Sequence, residues 1–209
     1  MRRLFIAIVV LCGLIVVPTE ASAQFDLSRA LGSLLGGGAQ QTATTTPYTE
    51  LAEKAPAKSR ILGTWQYKTA SMEYLGNNPL ADVAIKQLES LALAELKRRG
   101  IVEGCCSLTL RRNGMAVIAT LDAVQDMTYK YNEDSARMDI STTVGNSSYS
   151  AKGYVKMSSD RLVVLVDARD ILNGVVKASP ELASNQSVVM ARSLLENFSD
   201  IYIGVIFER

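Results

Sequence analysis

The chain of 209 residues has no histidine, a single tryptophan and only three cysteines. Without histidine there is no Ser-His-Asp or Cys-His pair, no His-bound zinc, and no side chain that ordinarily carries protons near neutral pH. Carboxylates would have to do any acid–base work alone, and the acidic residues lie scattered through expected turns and helix surfaces with no pairing. The chain is therefore read as a non-enzyme without a cofactor. An excess of one charge is also missing, since 22 basic residues face 21 acidic ones. No field steers nucleic acid or an anionic membrane.

What is present begins with Arg2 and Arg3 ahead of an apolar run, Leu4 to Val17, of 14 residues. That is short of the roughly 20 needed to span a bilayer core. Pro18 breaks the run, and Ala21-Ser22-Ala23 is a small-x-small cleavage site, so residues 1–23 read as a secretory signal peptide cut between Ala23 and Gln24. The expected location is outside the cytoplasm: the periplasm, or the cell surface or secreted. The mature chain of 186 residues would keep 20 basic and 20 acidic residues, with Cys105 and Cys106 as its cysteines. No later segment approaches spanning length, so no transmembrane helix is expected in it.

Residues 24–59 differ in composition from the rest. Gly36, Gly37 and Gly38 lead into Gln40, Gln41, Thr42, Thr44, Thr45 and Thr46, a polar stretch that cannot bury enough apolar surface to fold alone. Ahead of it, Leu27, Leu31, Leu34 and Leu35 fall at helical spacing. The segment is read as a flexible leader, and one domain as starting near Arg60.

From there the pattern turns to period two. Strands are expected at Ile61 to Thr69, Cys105 to Arg112, Met115 to Leu121, Asp126 to Tyr131, Arg137 to Thr143, Ser148 to Met157, Arg161 to Ala168 and Asp200 to Glu208. Asn113-Gly114 joins the second and third as a tight hairpin. Two helical insertions interrupt the meander: one from Pro79 to Arg99, capped by Asn78 and ended by Gly100, the other starting at Ser179 and Pro180 with an apolar stripe through Val188 and Leu195. Eight antiparallel strands in this order close naturally into an up-and-down barrel. Val163, Leu165, Tyr202 and Ile206 would face away from its interior. The insertions are accordingly expected to pack outside the barrel, burying Leu88, Leu91, Val188 and Leu195 over these strands.

Gly63-Thr64-Trp65 on the first strand resembles the Gly-x-Trp signature of lipocalins, where the tryptophan packs across the closed end. Residues 60–209 are similar to an uncharacterised lipocalin-like family of exported proteins in Gram-negative bacteria. The resemblance extends to the Leu-Gly-Thr-Trp strand, the helix before the second strand and the Asn-Gly hairpin. It implies fold and export, and no activity. Two features depart from true lipocalins: a helix replaces the long loop after strand one, and the second insertion precedes strand eight.

With Trp65 setting the inward phase, the interior would hold Tyr67, Cys106, Leu108, Leu110, Met127, Tyr129, Tyr131, Met138, Ile140, Tyr149, Val155, Leu162, Val164, Ile203 and Phe207. Trp65, Tyr67, Tyr129, Tyr131 and Tyr149 are the candidate ligand-binding residues, because four buried hydroxyls require partners that a ligand could supply. The expected ligand is an apolar small molecule or lipid in a barrel open away from Trp65. The alternative is a filled barrel that works through its surface on an envelope protein partner. Cys105 and Cys106, as strand neighbours, would point to opposite faces, which disfavours a bond between them. Asp134-Ser135-Ala136 sits in an expected turn and resembles a short O-glycosylation acceptor of exported proteins.

Overall fold

The computed structural model describes residues 47–76, 85, 89, 93, 96–97, 100–144, 146–178, 180–184, 186–198 and 200–209. The signal segment with Ala23 and Gln24, and most of the leader, lie outside them. Alternating burial defines the strands: on β4 (Val124–Asn132), Gln125, Met127 and Tyr129 are buried while Val124, Asp126, Thr128 and Lys130 are exposed. The others are β1 (Gly63–Tyr74), β2 (Cys106–Leu110), β3 (Met115–Thr120), β5 (Arg137–Val144), β6 (Ser147–Ser158), β7 (Arg161–Asp167) and β8 (Ile201–Glu208). Each pairs antiparallel with the next, and β8 returns to β1, closing the barrel. Every expected strand is present.

Local chemistry fixes the hairpins. Gly114 has φ +81°, which glycine adopts without strain, and Asn113 Oδ1 accepts from the Met115 amide at 3.1 Å. At the β4–β5 turn, Asn132 Oδ1 accepts from the Asp134 amide at 2.8 Å, and Ala136 takes the left-handed conformation at φ 54°. A bulge in β1 between Tyr67 and Thr69 shifts the register against β8. It carries the inward phase from Trp65 and Tyr67 to Ala70, Met72 and Tyr74.

Inward side chains form one cluster that includes every residue expected there except Tyr149. Trp65 closes one end. Its Nε1 donates to the Ile61 carbonyl at 2.8 Å, within the short helix α2 (Lys58–Ile61) that leads into β1. The Arg209 guanidinium lies 4.3 Å from the Trp65 ring centroid and donates to the carbonyls of Arg60 and Leu62 at 3.0 and 2.8 Å. Charge, ring and two backbone acceptors thus tie β8 to the entry of β1.

Packed structure begins at Pro47, earlier than the composition suggests. Helix α1 (Pro47–Glu53) lays Tyr48 and Leu51 over Tyr154, Val163, Leu165 and Tyr202 on the outside of β6 to β8. The Tyr48 hydroxyl donates to the Asp200 carboxylate and lies 3.2 Å from the Tyr202 hydroxyl. The helix also packs across the Glu133–Ser135 turn, leaving Ser135 half-buried.

The expected burial of the helical insertions over the outer face of β7 and β8 is corrected by this arrangement. Both connect strand ends at the mouth, opposite Trp65, and their apolar residues join the interior cluster. Ile171 and Leu172 of α3 (Ala168–Ala178), and Val188 and Leu195 of α4 (Gln186–Asn197), bury with inward strand residues. So do Ile85 and Leu96, described helical positions between β1 and β2. Leu88 and Leu91 lie outside the described residues. With α1 covering β7 and β8, the described apolar residues of the insertions bury over the mouth instead. Helix α3 starts at Ala168, earlier than expected, with Asp167 Oδ1 accepting from the Arg169 amide at 2.8 Å.

Beyond Gly153, towards its start, β6 has no pairing with β7, and α3 guards that edge. Asp170 accepts from the Lys152 amide at 2.9 Å, and Lys177 Nζ donates to the Ser148 carbonyl at 2.7 Å. A strand edge covered in this way cannot template pairing with another chain.

Two stability outcomes follow from these contacts. Arg209→Ala is expected to cost about 1–3 kcal/mol, from the lost ring contact and two lost hydrogen bonds. It should also shift emission of the single tryptophan to the red; unchanged emission and an unchanged urea midpoint would show that the stack does not hold the closed end. Gly153→Ala places a Cβ 1.9 Å from the Leu165 carbonyl oxygen, so backbone must move, and a loss of about 2–3 kcal/mol is expected. Urea unfolding measures it, and a loss below about 0.5 kcal/mol, the usual scale for a harmless surface change, would contradict the close approach of β6 and β7.

Candidate functional site

Four of the five candidate ligand-binding residues lie in the closed half of the barrel. Trp65 is fully buried, and Tyr67 packs edge-on against Phe207 with ring centroids 6.3 Å apart. The Tyr129 hydroxyl donates to the Arg111 carbonyl and that of Tyr131 to the Pro56 carbonyl, both at 2.7 Å. These two hydroxyls therefore have protein partners, neither ligand nor solvent, and Tyr131 pins the segment between α1 and α2 to the barrel. Tyr149 stands apart, near the mouth at the start of β6, with Lys177 Nζ 5.0 Å from its ring centroid. The five do not form one site.

The interior favours neutral groups. Burial pushes the Tyr67 phenol up to about 12, reinforced by the Cys105 and Cys106 thiols. Burial and then a Glu133 carboxylate push Tyr131 up to about 12. The Cys106 thiol also rises to about 12, first through burial and then through Cys105. Both cysteines are free. Cys105 does not point away from the core as strand alternation suggested, because β2 begins only at Cys106 and Cys105 occupies the preceding bend, packed against the same cluster. Among the described residues, no three Cys, Asp or Glu side chains converge to hold a metal ion.

The polar feature of the barrel wall lies elsewhere. The β4–β5 ladder runs from Asn132↔Arg137 only as far as Thr128↔Ser141, although both strands continue towards the mouth. Beyond that point side chains make the join. Gln125 Nε2 donates to Thr142 Oγ1 at 2.9 Å and to the Asp126 carbonyl at 2.7 Å, while Thr142 Oγ1 donates to the same carbonyl at 3.0 Å. Gln125 is 8 % exposed, the one buried polar side chain among the described residues.

Over this seam lies a depression of about 450 Å³ lined from β3, β4, β5 and β6. Thr128, Ser141 and Ser150 form one cross-strand row of its lining, and Asp126, Thr143 and Ser148 lie nearer the mouth. Towards the closed end the next row is Lys130, Asp139 and Lys152. Small side chains beside long ones make the hollow. Sequence reading missed the seam because it started β4 at Asp126; a polar residue in phase with Met127 and Tyr129 was the available signal.

No helix among the described residues is long and apolar enough to cross a membrane. The chain matches no curated protein and no solved structure. A closed eight-stranded barrel, a tryptophan sealing one end and helical insertions at the other accord with the family match over residues 37–209, and the chain belongs to the lipocalin-like domain family DUF4923.

Proposed function

We propose that this is a non-catalytic binding protein of the cell envelope, exported with loss of residues 1–23, which recognises its partner through the outer wall of the barrel. The observation that carries this reading is the solid closed half of the interior: Trp65, Val155, Leu162 and Phe207 have 0 % exposure. A void large enough for a ligand would leave accessible surface on the side chains facing it. Helical residues at the mouth join the same cluster, so the interior serves as the hydrophobic core of the domain. The absence of histidine supports a binding role over a catalytic one.

A second reading places an apolar small molecule or lipid inside the barrel, near the mouth. It is favoured by Met72, Ile140 and Ala151, inward residues that are only half-buried. Such a ligand would have to displace the helices covering the mouth, and Tyr149 would be its nearest candidate contact.

Native mass spectrometry of protein purified without detergent, followed by titration with a fatty acid and a retinoid-like probe, separates the two. On the outer-wall reading the mass is that of the bare mature chain from Gln24, and neither probe gives a saturable response. A stoichiometric apolar adduct, or saturable binding weakened in the Tyr149→Phe variant, would replace that reading with the carrier.

A further inference from the structure

We infer that the depression over the β4–β5 seam binds a neutral carbohydrate chain. The inference rests on the outer-wall reading and adds the class of ligand. Its lining carries hydroxyls at Thr128, Ser141, Thr143, Ser148 and Ser150, and one carboxylate, Asp126, with Met115 beside them. Sugars present adjacent hydroxyls that both donate and accept, together with apolar C–H faces. Side-chain hydroxyls reciprocate the first, a carboxylate accepts from a vicinal pair, and methionine packs against the second.

Other ligand classes fit less well. An apolar ligand would cover hydroxyls and a carboxylate without giving them partners. An anion would meet Asp126 as the one ionised group of the lining. A peptide adding as a strand needs a free sheet edge, whereas the barrel is closed and α3 covers the unpaired end of β6 through Asp170 and Lys177. In the seam itself, Gln125 and Thr142 already occupy the Asp126 carbonyl.

The geometry also places the site on a firm base. Thr128, Ser141 and Ser150 lie across three strands in fixed register, and the Gln125–Thr142 bridge holds the seam from within. The lining is therefore preorganised and includes one aromatic ring, Tyr149, while its openness to solvent predicts weak affinity for one sugar and a gain with chain length.

The test is titration of the whole mature chain with maltoheptaose, cellohexaose and an oligogalacturonate, followed by backbone amide shifts. A neutral oligosaccharide is expected to give saturable shifts confined to residues 126–128, 141–143 and 148–150, tighter for the longer chain than for its disaccharide. Asp126→Asn should weaken binding about tenfold, as loss of a charged acceptor implies. Ser141→Tyr, which fills the hollow from a solvent-facing strand position, should abolish it. Ser158→Tyr, on the same outer face of β6 but remote from the hollow, should leave binding unchanged and controls for misfolding. No shift in these residues with either neutral chain overturns the carbohydrate assignment, while the outer-wall reading stands if apolar probes remain silent. Preference for oligogalacturonate, increased by Asp126→Asn, overturns the neutral class. Shifts at inward residues with the apolar probes overturn the assignment together with the reading beneath it.

Discussion

Pairing of β1 with β8 is the constraint on which the rest of this structure depends. Once the sheet closes, every strand has two faces of fixed meaning, and the volume available to inward side chains is set by eight strands and their tilt. The pairing is pinned at one end by Arg209, which reaches over Trp65 to the carbonyls of Arg60 and Leu62, and is adjusted along its length by the bulge at Lys68. Without that bulge, the residues beyond Tyr67 would keep the other phase. Thr69 and Ser71 would then face the core where Ala70 and Met72 now do. A local irregularity thus lets one long strand serve the closed end and the mouth with apolar residues throughout.

Closure also distributes the helices. In a closed barrel, connections between strands can only cover its ends or its outside. The insertions after β1 and β7 emerge at the mouth, where their described apolar residues are buried, and the outer face of β7 and β8 falls to α1. Its ring cluster of Tyr48, Tyr154 and Tyr202, with centroids 5.4 to 6.5 Å apart, does the covering that an aliphatic helix stripe would otherwise provide. One buried hydroxyl on this side, Ser71 Oγ, has no hydrogen-bond partner among the described residues. It sits where a Cβ on Gly204 would come within 2.4 Å, so the close packing of β1 on β8 is achieved with a small polar group left unsatisfied, a cost of about 1–3 kcal/mol.

The sequence was legible wherever alternation and turn chemistry agreed. Asn113-Gly114, the apolar phase of β2, β4 and β8, and the Gly63-Thr64-Trp65 entry each point to one conformation, and each is found. Legibility failed where a residue's environment depends on distant chain. PYTELAE, residues 47–53, reads as more of a polar leader because its value lies in two side chains that meet strands a hundred residues later. The position of the helical stripes could not be read from periodicity, which reports that a face is buried and not what buries it. Cys105 was misplaced because alternation was extended one residue past the strand.

The candidate tyrosines carry the same lesson at the level of the site. Counting inward hydroxyls correctly identified groups that need partners, yet sequence does not show which carbonyls lie within reach. Arg111 and Pro56 supply two of them, from a hairpin and from the chain ahead of β1. For Tyr129 and Tyr131, then, the inward hydroxyls brace elements against one another. On the wall, polar side chains gather where the ladder stops. There Gln125 closes the seam from inside, and the hydroxyls of Thr128, Ser141 and Ser150 line the hollow outside. The break in backbone pairing is bridged by side chains, and a polar concavity lies over it that an uninterrupted sheet of convex curvature would lack.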